Sequence, residues 1–277
     1  MSASSASGPV PMPVDVVSDV VCPWCFVGKR RFEKAVALVP EIPLTVRWRP
    51  YFLNPWVPRA GISRAEYLTT KFGSVEKYET AAQRIVEAAE AEGLVYALRK
   101  IARQPNTIDC HRLIRWAGER DGVAPDSRDG GVIRPATGKG GNGNADDMAG
   151  ADEAVRIGLA DGAAQMKQRL MELYFSHGAD LTERDVLVRA AVAGGFEEGK
   201  ARERLASELD VQAVTDDALA ASHAGVEGVP CFIFGAVLAV AGAQSPDYLA
   251  GALTRAYAQF QQRLAAGQIV NPEARPY

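Results

Sequence analysis

Apolar and polar positions follow two different periods along this chain. Near the start, Val14-Asp-Val-Val-Ser18 and Leu44-Thr-Val-Arg-Trp-Arg-Pro-Tyr51 alternate, the pattern of strands with one buried face. A helix-length segment from Cys22 to about Val39 lies between them, so the opening predicts a strand-helix-strand unit. Near the other end, Cys231-Phe-Ile-Phe234, a turn at Gly235 and Ala236-Val-Leu-Ala-Val240 predict a hairpin. Ser245 as N-cap and Pro246 at the first helical position predict a last helix.

From residue 63 to 224 the period becomes helical. Tyr78, Ala82, Ile85 and Ala89 recur at helix spacing before Gly93, as do Met166, Leu170, Leu173 and Tyr174 before Gly178. Thr182 with Asp185 offers a capping box. Residues 118–152 are rich in Gly, Asp and Asn with few large apolar side chains, which predicts a disordered loop between helices. The simplest organisation is a sheet domain built from both ends, 13–62 and 225–277, interrupted by a helical insertion, 63–224, with residues 1–12 a flexible tail.

Composition narrows the function without choosing it. In 277 residues, 23% are charged and 47% hydrophobic, the make-up of a soluble globular protein. A formal net charge of -3 gives no electrostatic case for a nucleic-acid or membrane-surface partner. The apolar run from Cys231 to Ala243 is too short and too interrupted by glycine to span a bilayer. The opening residues have neither a basic start nor an apolar stretch, so they do not read as a secretory signal. A reducing cytoplasm is therefore expected, where four cysteines in a chain this long are catalytic or buried thiols rather than a disulfide scaffold.

The chemistry concentrates in Cys22-Pro23-Trp24-Cys25. Proline is favoured in the first turn of a helix, which makes Cys22 the residue at the helix mouth and puts Cys25 one turn along on the same face. A cysteine in such a place faces unpaired amides and the positive end of the helix dipole, both of which favour thiolate. Cys22 is then the attacking sulfur and Cys25 the resolving one. A metal site would need two more ligands, but Cys110 and Cys231 stand alone and His111, His177 and His223 form no paired ligand spacing. Two inert core cysteines would hardly flank Pro-Trp directly after a strand and at a helix start.

Around this motif the chain resembles the DsbA-like thioredoxin family, in its FrnE-type branch of cytoplasmic and polyketide-pathway-associated oxidoreductases. The matching stretches are Ser18-Asp-Val-Val-Cys-Pro-Trp-Cys25 with Gly28-Lys-Arg-Arg-Phe32, Trp48-Arg-Pro-Tyr-Phe52, Asn106-Thr-Ile-Asp-Cys-His-Arg-Leu113, Gly228-Val-Pro230 and Gly242-Ala-Gln244, in family order. The resemblance implies an α/β thioredoxin-like fold with a large inserted α-helical domain, the dithiol at the junction and Pro230 in the cis form facing it. Pro23, Trp24, Val229 and Pro230 then line the substrate site, with Val229 offering backbone groups to an extended substrate. His111 is expected to approach from the helical domain, either as a site residue or as a hydrogen-bonded structural one. Cys231 stands where relatives commonly carry Phe or Thr, and either lies close to Cys22 or packs in a strand. Cys110 shares a stripe with Leu113, Ile114 and Ala117 and reads as a buried structural thiol.

The function expected is thiol-disulfide exchange on a dithiol- or disulfide-containing protein or small molecule, with no metal, no tightly bound cofactor and glutathione as the candidate redox partner. Pro23 and Trp24 bring no positive charge, so the expected potential is less oxidising than that of strong periplasmic oxidants. Two other functions compete. The related kappa-class transferases and hydroxychromene-carboxylate isomerases share the layout and act with glutathione on small molecules, but typically carry serine at the first cysteine. A scaffold that binds a polyketide or a protein without catalysis is the third. Lys29, Arg30 and Arg31 read as a solvated face, and Tyr51, Phe52, Trp24 and Trp56 as either core or an apolar surface for substrate.

Overall fold

In a computed structural model, which describes residues 10–120, 131–133 and 161–269, the two alternating segments become parallel neighbours. β1 (Met12–Ser18) pairs with β2 (Leu44–Pro50) from Met12 opposite Leu44 to Ser18 opposite Pro50. Parallel strands need a crossover, and α1 (Pro23–Ala37) supplies it. On the other side of β1 lies β6 (Cys231–Phe234), antiparallel, followed by β7 (Leu238–Ala241). β5 (Gly131–Ile133) adds antiparallel to β2, giving the order β5-β2-β1-β6-β7.

Between β2 and β6 run α2 (Arg64–Phe72), α3 (Val75–Glu90), α4 (Ile108–Arg120), α5 (Gly162–Met171), α6 (Arg184–Ala193), α7 (Glu198–Ala206) and α8 (Val211–His223). A two-stranded sheet of β3 (Ile62–Ser63) and β4 (Arg103–Gln104) staples the start of α2. The last helix, α9 (Pro246–Ala265), begins as expected: the Ser245 side chain accepts from the Tyr248 amide and Pro246 opens the helix.

Four local expectations are corrected. Met12 already belongs to β1, so the strand starts where the tail was expected to end, and residues 1–9 lie outside the described ones. The stretch 118–152 contributes the end of α4 and the strand β5, whose three residues are too few to show an alternating period; 121–130 and 134–152 lie outside the described residues. Ala236 and Val237 belong to the hairpin turn, not to β7: Gly235 and Ala236 both have positive φ, 58° and 55°, the requirement of a type I′ turn closed by Val237 N–H on the Phe234 carbonyl at 3.0 Å. The capping box at Thr182 does not form, because Asp180 takes both the Thr182 amide and hydroxyl and α6 starts two residues later.

α1 is buried on two faces. Phe32, Ala35 and Val36 pack onto the sheet with Val14, Val16, Phe232, Phe234, Leu249 and Leu253, Phe32 stacking on Phe232 at 5.3 Å between ring centres. Cys25, Phe26 and Val27 face the other way, into a second core with Leu113, Trp116, Met166, Leu170, Phe175 and Leu187 of the inserted helices. The dithiol therefore sits on the seam between the two cores.

Candidate active site

At the end of β1 the chain turns sharply, Cys22 N–H donating to the Asp19 carbonyl at 3.2 Å. Cys22 then occupies the N-cap of α1 with extended backbone, Pro23 follows in the first turn, and no side chain caps the free amides. No acidic residue lies in that turn to cancel the dipole. The Cys25 amide donates to the Cys22 carbonyl at 3.0 Å, which fixes the two thiols one turn apart, both free and both buried. Burial, reinforced by the hydrogen bond and charge of Cys22, pushes the Cys25 thiol well above the usual range.

The Val229–Pro230 peptide is cis, and the Cys22 thiol donates to the Val229 carbonyl at 3.5 Å. Gly28 lets Pro230 approach α1: a Cβ there would meet Pro230 Cγ at 2.7 Å. The Pro230 carbonyl in turn accepts from Gly242 N–H at 2.8 Å. Pro23 and Val229 are half-buried, and Trp24 is 37% exposed, so this edge of the site is open to a partner.

A family model described as the DSBA-like thioredoxin domain matches residues 13–127 and 144–254. The chain belongs to this family. Among solved structures, a probable DsbA oxidoreductase from Streptomyces coelicolor is 27% identical and superposes with a TM-score of 0.70, over 90% of this chain and 91% of that one. A 2-hydroxychromene-2-carboxylate isomerase is 14% identical, TM-score 0.55, over 93% and 100%. The cytosolic disulfide reductase DsbM from Pseudomonas aeruginosa, solved with GSH, is 15% identical, TM-score 0.51, over 91% and 99%. These last two are likenesses of fold alone. A comparison with curated protein sequences gives no match.

In this DSBA-like fold several residues outside α1 reach the motif or the turn before it, contacts that sequence reasoning missed. The Tyr96 hydroxyl donates to the Pro23 carbonyl at 2.6 Å, and its ring stacks on Phe26 and Phe175. Asp19, fully buried, accepts from the Leu53 amide at 2.9 Å through one oxygen and faces His111 Nε2 at 3.3 Å through the other. His111 thus does approach from α4, but its ring is buried against Asp19 and Phe52 rather than turned to the open edge. Burial holds its pKa below the ordinary histidine value even though the Asp19 hydrogen bond and charge pull the other way. Lys71 on α2 donates to Asn54 Oδ1 at 2.5 Å; burial lowers its pKa, while the charges of Cys22 and Asp19 work to raise it.

Of the solvated face expected of Lys29, Arg30 and Arg31, only Arg30 stays partly open, its side chain 36% exposed beside Glu33 at 3.6 Å. Lys29 is buried, ion-paired to Glu33 and placed over the Trp48 ring. Arg31 pairs with Glu92 at 2.7 Å and donates to the Ala243 carbonyl, tying α1 to the segment after β7. Trp48 of β2, Glu92 just after α3 and Ala243 just after β7 cover this side of α1, which a single-helix reading does not foresee. Cys110 lies in the second core as expected, its pKa raised by burial. Cys231 packs in its strand with Val17 and Val226. Trp56 is 46% exposed and stacks on Tyr67. Among the described residues, no group of three or more His, Cys, Asp or Glu is placed to hold a metal ion, and no helix is long and apolar enough to cross a membrane.

Proposed function

We propose that the chain is a cytoplasmic thiol-disulfide oxidoreductase or isomerase in which Cys22 is the nucleophile and Cys25 the resolving thiol. The observation that carries this reading is the position of Cys22: uncapped helix N-terminus, buried Cys25 one turn below, and the Val229 carbonyl before cis Pro230 within reach of its sulfur. The Cys22 thiolate attacks a substrate disulfide, a mixed disulfide forms, and Cys25 displaces the substrate thiol. In the opposite direction the Cys22–Cys25 disulfide takes two electrons from a substrate dithiol. Pro23, Trp24 and the Val229–Pro230 backbone receive an extended segment of substrate, and His111 steadies Asp19 behind them. Residues 12–62 and 225–277, with β5 from inside the insertion, act as the thioredoxin-like domain, and the helices of 63–224 back the dithiol. Four unpaired thiols fit a reducing compartment, where glutathione is the redox partner.

The test is equilibration across glutathione ratios, then alkylation and mass spectrometry of Cys22 and Cys25, with Cys22→Ser and Cys25→Ser as controls. A reversible two-electron transition confined to this pair supports the reading. A pair that never forms a disulfide overturns it.

A further inference from the structure

Lys167 is the least expected residue in the second core. It lies on α5, is 1% exposed, and its Nζ donates to the Ser18 carbonyl at 3.4 Å and stands 5.7 Å from the centre of the Trp48 ring. Among the described residues no carboxylate lies within 4.0 Å of it. A buried ammonium without an ion-pair partner is costly, so something nearby must offset it.

The charges that face Lys167 come from three elements. Asp19 stands between β1 and α1; Cys22, Cys25 and Lys29 belong to the start and middle of α1; Cys110 and His111 are on α4. Lys29 is already paired with Glu33, and Asp19 is shared with His111 and the Leu53 amide. The groups whose charge changes during thiol-disulfide exchange are the two thiols. The turn between β1 and α1 links them to the lysine: its Ser18 carbonyl accepts from Lys167, and its Asp19 carbonyl accepts from the Cys22 amide at 3.2 Å.

We propose that Lys167 is a positioning residue of the Cys22–Cys25 couple, supplying from the inserted helices the positive charge that steadies a thiolate on the pair and favours the dithiol over the disulfide. This rests on the redox reading above. In the resolving step the Cys25 sulfur attacks the Cys22 sulfur of the mixed disulfide. The bond between Cys22 and substrate breaks, the Cys22–Cys25 bond forms, and the Cys25 proton leaves with the substrate thiol. Burial makes the Cys25 thiolate hard to form, and a cation held nearby lowers that barrier. The coupling is reciprocal: burial pulls the Lys167 ammonium down to about 8, and a thiolate on Cys25 or Cys22 pulls it back up.

Two measurements test this. Lys167→Met, similar in length and apolar, is compared with the parent chain for its equilibrium with glutathione. The expected result is a dithiol about tenfold less favoured, since one pKa unit of thiolate stabilisation is a factor of ten. In the parent chain, the side-chain carbon signals of Lys167 are titrated by NMR in both redox forms. The expected midpoint is about one unit higher in the dithiol form. An unchanged equilibrium constant in a folded Lys167→Met, or one titration midpoint for both forms, overturns the proposal; if that variant does not fold, the NMR titration decides alone. A parent chain that forms no Cys22–Cys25 disulfide defeats the redox reading itself, a result distinct from a working couple indifferent to Lys167.

Discussion

Gly28 passes so close beneath Pro230 that an added Cβ would come within 2.7 Å of the proline ring. The contact sets the spacing between α1 and the Val229–Pro230 segment, and with it the place where the Val229 carbonyl meets Cys22. A glycine in a helix interior costs about 1 kcal/mol relative to alanine, so the close approach accounts for a residue the helix alone would disfavour.

Gly28→Ala tests the contact. Overpacking costs about 1–3 kcal/mol and outweighs the helix propensity gained, so the variant should unfold at lower urea concentration and its Cys22 should change in alkylation rate. A variant more stable than the parent would show that the Pro230 segment yields freely.

Cys25→Ser should trap substrate on Cys22 as a mixed disulfide, visible by mass spectrometry under non-reducing conditions, because no second thiol remains to displace it. Cys22→Ser should trap nothing and lose all exchange activity. Trapping by Cys22→Ser and none by Cys25→Ser would reverse the assigned roles.

The reduction potential of the pair should be more negative than the about -120 mV of a strong periplasmic oxidant, since neither Pro23 nor Trp24 carries charge. Equilibration with glutathione reads the value, and one at or above that level would contradict the reasoning from the motif.

Lys167 should also make stability depend on pH in a definite direction. Its pKa falls from 10.5 to about 8 on folding, chiefly through burial, so between those values the unfolded chain holds a proton the folded chain has released. This group's contribution to stability therefore rises with pH across that window, and below about 8 its full cost, about 3 kcal/mol, is felt. Lys167→Met should remove this rise and unfold at higher denaturant at pH 7. Denaturation curves at pH 7 and 9.5 would refute this if parent and variant shifted in parallel.

What the sequence made legible was local. The helix mouth at Cys22, the first-turn Pro23 and the Ser245–Pro246 start of the last helix each depend on a few neighbouring residues, and each stands where expected. What stayed hidden depends on residues far apart in the chain. Lysine is ordinarily a surface residue, so Lys167 beside the apolar Met166 and Leu170 carries no signal of burial until α5 is packed beneath the dithiol. The burial of Lys29 and Arg31 is hidden in the same way, since Lys29 lies over Trp48 of β2 and Arg31 pairs with Glu92, which is 61 positions away. Tyr96 belongs to an irregular stretch with no period, and its bond to Pro23 spans 73 positions.

Because α1 faces two cores at once, this protein has no smaller version of itself. A fragment joining 12–62 to 225–269 would keep β1, β2, β6 and β7 but lose β5 from the sheet edge and lay Cys25, Phe26 and Val27 bare to water, and so would gain a sticky surface and lose the dry floor under Cys25. The inserted helices are thus the wall behind the two thiols, and loosening them anywhere along α4 or α5 should be felt at the sulfurs.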